Sequence, residues 1–169
     1  MANGLDFENL VAAHYGPLYQ FAFSLTRDEA DACDLTQQTF CIWAAKGHQL
    51  RDESKVKTWL FTTLHREFLG SRRRQSRFPH IELEYAAGEL PTISPASINQ
   101  LDSEQLFAAL KQLDEIYRST VTLFYLEDYS YNEIAGILDI PLGTVKSRLT
   151  RGLQRLYVLL NNVQTPPSS

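Results

Sequence analysis

The sequence predicts an all-α protein: two small helical domains joined by a flexible linker, the second containing a helix-turn-helix. Three observations carry this. Apolar residues recur at helical spacing along residues 1–77 and again beyond residue 101. Between them, residues 78–99 hold three prolines, two serines, a glycine and no basic residue, which is linker composition. Finally, residues 130–156 read as a capped short helix, a tight turn and a second helix. The expected division is 1–77, a linker at 78–100, a second domain at 101–162 and a disordered tail at 163–169.

The bulk composition narrows the class. A chain of 169 residues with 44% hydrophobic content folds rather than remaining disordered. No apolar run approaches the roughly 18 residues of a membrane span, so no membrane insertion is expected. The N-terminus lacks a basic segment followed by an apolar core, and the expected location is cytoplasmic. Cys33 and Cys41 lie about 12 Å apart along one straight helix, too far for a disulfide. No zinc-ligand spacing, phosphate loop or dinucleotide fingerprint appears. The expectation is no metal, no cofactor and no enzyme, since no converging nucleophile can be named.

Each element follows from local pattern. LDFENLVAAHYGPLYQFAF is helical, with a break expected near Gly16-Pro17. Asp28 is placed to cap the next helix, which runs to about Ala45. Ala32, Leu35, Thr39, Phe40, Ile42 and Trp43 form its apolar side, leaving Asp34, Gln37, Gln38 and Cys41 exposed. That compact, short-armed face suits a protein partner. KGHQLRDES is a polar loop, and Ser54 is the expected cap of the following helix. Val56, Trp59, Leu60, Thr63, Leu64 and Phe68 make its buried stripe. His14, His48, His65 and His80 fall in separate elements and form no ligand set.

Beyond the linker, helices are expected near 101–111, 114–126, 130–138 and 142–159. Ser130 and Glu133 form a capping box. Asp139 to Gly143 is a tight turn, with Pro141 suited to the start of a helix. In IPLGTVKSRLTRGLQRL, Val145, Leu149, Leu153 and Leu156 fall within about 80° of each other. Ser147, Thr150, Arg151 and Gln154 lie opposite, with Lys146, Arg148 and Arg155 at the flanks. Such a helix can enter the major groove, its polar face reaching base edges and its basic arms phosphates. Gly143 and Thr144 stand at the helix start, where amides can meet a phosphate.

Charge distribution supports nucleic acid as a partner despite a net charge of −4. Residues 1–77 carry ten basic and nine acidic side chains, residues 78–110 carry five acids and no base, and residues 111–160 carry six of each. The acidic excess belongs to the middle. Each flank keeps a basic patch: the helix just described, and Arg66, Arg72, Arg73, Arg74 and Arg77, which contact with phosphate explains better than helix-dipole compensation.

Two segments together resemble bacterial RNA polymerase sigma factors of the extracytoplasmic-function (ECF) group, in the sigma-70 family. DLTQQTFCIWAA followed by KTWLFTTLHREFL and an Arg cluster is similar to sigma region 2. LEDYSYNEIAGILDIPLGTVKSRLTRGLQRL is similar to region 4. The resemblance implies core RNA polymerase as partner, meeting Asp34, Gln37 and Gln38; family members often carry Glu where this chain has Gln38. It implies that the helix from Lys55 to about Arg74 engages the −10 promoter element, with Lys55, Lys57, Trp59, Arg66, Arg72, Arg73 and Arg74 as its candidates. Residues 47–54 would shape a pocket for a base flipped from the non-template strand. The −35 element would be read as duplex by Gly143, Thr144, Lys146, Ser147, Arg148, Thr150, Arg151 and Gln154. An anti-sigma factor is a further candidate partner. Two rivals have other functions: a helix-turn-helix regulator that needs no polymerase, and a protein-binding adaptor that touches no DNA.

Overall fold

The computed structural model describes residues 4–75 and 103–164, and contains seven α-helices and no strand among them. The chain divides into two compact units, the first holding the N-terminal helices and the second built chiefly from residues 103–135 and 140 onward. The expected linker, Arg77, His80 and the last five residues lie outside the described residues.

The first unit has three helices: α1 (Gly4–Thr26), α2 (Glu29–Lys46) and α3 (Val56–Gln75). Each packs against the other two. Leu18, Phe21, Ala22 and Leu25 of α1, Ala32, Leu35 and Phe40 of α2, and Leu60, Phe61, Leu64 and Phe68 of α3 are buried. Phe21 stacks on Phe61 at 5.3 Å and on His65 at 6.4 Å. Fully burying a Phe such as Phe61 contributes about 2–3 kcal/mol.

The break expected at Gly16-Pro17 does not occur; α1 runs straight through Pro17. Gly16 has no Cβ to collide with the proline ring, which removes part of the usual penalty on the preceding residue. Burial of Leu18, Phe21, Ala22 and Leu25 offsets the lost backbone bond. The helix ends instead at Arg27, whose φ of 56° is left-handed and whose amide donates to Phe23 O at 2.9 Å. One residue later, Asp28 accepts from the Asp31 amide at 2.9 Å. That cap, worth about 1 kcal/mol, starts α2 as expected.

Residues 47–55 form two short 3-10 turns, Gly47–Gln49 and Glu53–Lys55. The expected Ser54 cap is replaced by Asp52, whose carboxylate accepts from the Ser54 amide at 3.0 Å and hydroxyl at 2.6 Å. An ionised carboxylate is the stronger acceptor, so Ser54 becomes a donor.

The second unit has α4 (Ser103–Gln112), α5 (Glu115–Val121), a π-helical turn (Thr122–Leu126), α6 (Tyr131–Leu138) and α7 (Leu142–Gln164). Helices α4 and α5 both pack on α7. Val145, Leu149, Leu156 and Leu160 of α7 are buried, together with Leu110, Leu113, Tyr117, Val121 and Leu123.

Candidate protein and nucleic-acid interfaces

The α2 face begins with burial of the opposite side. Thr36 and Thr39 go into the core because their hydroxyls donate to Ala32 O at 2.7 Å and Leu35 O at 2.8 Å. That phase leaves Asp34, Gln37, Gln38 and Cys41 exposed. Gln38 Nε2 donates to Glu67 Oε2 of α3 at 2.8 Å, which adds a carboxylate that the sequence pattern alone does not place there. Gln37 Nε2 donates to Cys33 Sγ at 3.3 Å, and Tyr15 Oη lies 3.7 Å from the same sulfur. The hydrogen bond with Cys33, with a smaller contribution from burial, holds the Tyr15 hydroxyl above its ordinary value. Both cysteines are free.

Helix α3 sorts the −10 candidates into two sets. Trp59, Arg66 and Arg73 recur every seven residues, so they share one side of the helix, with Arg66 and Arg73 exposed. Lys55 is exposed in the turn before them. Lys57 and Arg72 fall on the flank nearer the core, with Lys57 Nζ 5.8 Å from the Phe61 ring and the Arg72 guanidinium 5.6 Å from the Phe68 ring. Arg74 donates from Nε to Gly70 O at 3.3 Å. Val56, Trp59 and Thr63 of the expected stripe are only half-buried, whereas Phe61 and His65 are buried. The positive patch thus starts at Arg66.

Trp59 meets Trp43 edge-on, with ring centroids 5.1 Å apart and planes at 75°. Trp43 in turn covers Gly47: a Cβ built there would lie 2.5–2.8 Å from three indole atoms. The i, i+4 spacing of a tryptophan and a glycine at a helix end is the sequence signal for this contact.

In the second unit the capping box forms as expected. Glu133 N donates to Ser130 Oγ at 3.2 Å, and Ser130 N donates to Glu133 Oε2 at 2.8 Å. Helix α6 ends in a left-handed Asp139 (φ 55°), with Ile140 N bonded to Ala135 O at 3.1 Å, a Schellman motif. Pro141 O then accepts from Thr144 N at 3.0 Å and Val145 N at 3.2 Å. Two helices joined by a three-residue turn are a helix-turn-helix.

On α7, Lys146 and Gly143 are exposed, while Thr144, Ser147, Arg148, Thr150, Arg151 and Gln154 are partly exposed. Ser147 Oγ donates to Thr144 O at 3.1 Å and Thr150 Oγ1 to Lys146 O at 2.8 Å, leaving hydroxyl lone pairs to accept from a ligand. Leu153 is only half-buried; Gly152 is buried in the middle of the stripe instead, against Val121 and Tyr117. Arg155 is held in the unit itself, bonded to Asp114 Oδ2 at 2.6 Å with its guanidinium 4.7 Å from the Tyr117 ring.

These two units match two parts of one family, in order. The family description "Sigma-70 region 2" matches residues 10–78, and "Sigma-70, region 4" matches residues 103–156. The chain is 32% identical to the ECF RNA polymerase sigma factor EcfG of Rhodopseudomonas palustris (strain TIE-1), across 85% of this chain and 78% of that one.

The chain belongs to the ECF sigma factors of the sigma-70 family.

A second relative of this sigma factor is the ECF RNA polymerase sigma factor SigM of Bacillus subtilis (strain 168), 29% identical across 93% of this chain and 96% of that protein. Among solved structures, the sigma factor RpoE of Bartonella quintana, crystallised with the anti-sigma factor NepR, aligns with a TM-score of 0.70 at 32% identity, covering 92% of this chain and 97% of that one. CnrH, solved with the cytosolic domain of CnrY, aligns with a TM-score of 0.64 at 23% identity and shares the fold. As an ECF sigma factor, the protein binds core RNA polymerase and recognises promoter DNA to initiate transcription. Neither the polymerase-free regulator nor the adaptor gains support from any of these matches. Among the described residues no helix is long and apolar enough to cross a membrane, and no three His, Cys, Asp or Glu side chains gather as metal ligands.

Proposed function

We propose that the sigma factor divides its labour among three faces. Asp34, Gln37 and Gln38 meet core polymerase. Lys55, Trp59, Arg66 and Arg73, flanked by Lys57, Arg72 and Arg74, engage the −10 element, with residues 47–54 receiving an unpaired base of the non-template strand. Gly143, Thr144, Lys146, Ser147, Arg148, Thr150, Arg151 and Gln154 meet the −35 duplex. The corresponding division of the chain is 1–77, a linker at 78–100, 101–162 and a tail at 163–169. The protein supplies binding energy and positioning, and no chemical step; polymerisation belongs to its partner. It works in the cytoplasm, where polymerase and promoter are. An anti-sigma factor, of the kind seen with the RpoE of Bartonella quintana, is a fitting regulator.

The observation that carries this reading is the separation of exposed faces on α2 and α3. One is short-armed and carries the carboxylates of Asp34 and, through Gln38, Glu67; the other is an aromatic and arginine ridge on which Arg66 and Arg73 are exposed. Two tethered readers gain effective concentration, so neither needs high affinity alone. Binding of core polymerase by purified Asp34→Ala and Arg66→Ala tests the assignment. Asp34→Ala weakens core binding several-fold, while Arg66→Ala leaves it unchanged and weakens promoter opening. The reverse pattern would refute it.

A further inference from the structure

The loop from Gly47 to Ser54 is bonded into shape by its own residues. The Gly47 amide donates to Trp43 O, closing α2. Leu50 N donates to Gly47 O at 3.0 Å, and Lys55 N to Asp52 O at 3.1 Å. Asp52 gathers the Ser54 amide and hydroxyl, and these two bonds hold its carboxyl below the usual aspartate value. The loop leaves α2 at Gly47, which lies under the Trp43 indole with no room for a Cβ: the nearest ring atoms would stand at 2.5, 2.6 and 2.8 Å. The φ of Gly47 is −60°, open to any residue, so the position requires space and not handedness. On its other side the half-buried indole meets Trp59 of α3, 5.1 Å away between centroids, which opposes its movement toward α3.

We infer that Trp43 is a positioning residue for strand opening: seated on Gly47 and braced by Trp59, it sets the direction in which the 47–54 loop meets the unpaired −10 strand. The inference rests on the reading of that loop as the base-receiving segment. A loop already held in one shape by its own bonds pays little ordering entropy when a strand arrives, so a small displacement at its root reduces capture. The same displacement leaves the exposed side of α2, which carries Asp34, Gln37 and Gln38, where it is.

The test uses holoenzyme reconstituted with core polymerase and a single-stranded oligonucleotide carrying the non-template −10 strand of a promoter selected from random sequence by that holoenzyme. Four forms are compared: wild type, Gly47→Ala, Trp43→Leu and the double variant. Gly47→Ala is expected to weaken oligonucleotide binding about tenfold while core affinity stays within twofold. Trp43→Leu is expected to weaken it about fivefold, without inserting an atom. In the Trp43→Leu background, Gly47→Ala should add no further loss, because the clash is gone. Equal losses from Gly47→Ala in both backgrounds, or wild-type binding by Trp43→Leu, would overturn the inference. If Gly47→Ala does not fold, Trp43→Leu alone decides the matter. Failure of wild-type holoenzyme to bind the oligonucleotide would instead sink the reading of the loop, and with it the inference.

Discussion

Gln38 on α2 donates its side-chain amide to the carboxylate of Glu67 on α3 across 2.8 Å. Position 38 often holds Glu in this family, and here that residue would put two carboxylates in contact. The glutamine removes the repulsion and ties the two helices together at the proposed polymerase face. Gln38→Glu should therefore lower stability by about 0.5 kcal/mol at neutral pH and low salt, with Glu67→Gln restoring it. Thermal melts of the four combinations measure this coupling. Equal melting shifts in both Glu67 backgrounds would contradict it.

Glycines at two positions should respond in opposite directions. At Gly152 a Cβ would lie 2.9 Å from Val121 Cγ2 and 3.2 Å from Tyr117 Cβ. Gly152→Ala should cost about 1–3 kcal/mol from overpacking, less the helical preference of alanine. At Gly136, exposed within α6, a Cβ would meet no other side chain within 4 Å, so Gly136→Ala should stabilise α6 by about 0.5–1 kcal/mol. Chemical denaturation of each variant checks the two signs.

Burial, then the nearby Lys57 charge, hold the His14 imidazole below its ordinary value of 6.5. The folded state therefore prefers neutral His14. Its contribution to stability is complete above pH 6.5 and falls as pH drops below that value through the lowered folded one. His14→Gln should flatten the stability profile below pH 6.5, a change read by melting temperature against pH.

The arginines of α7 should separate by role. Arg155 already serves Asp114 and Tyr117, so Arg155→Ala should lower the melting temperature of the protein more than its promoter affinity. Arg151→Ala should weaken binding to the upstream element and reduce the salt dependence by about one ion if it contacts a phosphate. Holoenzyme binding to promoter duplex across a salt series separates the two effects.

Much of this was legible in the sequence because the signals were local. Asp28 and the Ser130–Glu133 pair cap helices with side chains only three residues from their targets, and both form as expected. The stripe of α7 follows from phase alone, apart from the half-buried Leu153 and from Gly152, whose burial depends on how closely Tyr117 and Val121 approach. Pro17 misleads because a local breaking rule is outweighed by core packing further along α1. Ser54 misleads because Asp52, two residues earlier, is the better acceptor. The Gln38–Glu67 and Trp43–Trp59 contacts join α2 to α3, and no spacing rule within one helix reveals them.

The most direct test of the central claim is transcription by core polymerase with and without the purified protein, on a promoter selected from random sequence by the holoenzyme. Transcripts are expected only when the protein is present, lost when either selected element is scrambled, and reduced several-fold by Asp34→Ala at limiting protein through weakened core binding. Promoter-specific transcription that is insensitive to Asp34→Ala, or a folded protein that never binds core polymerase, would contradict it.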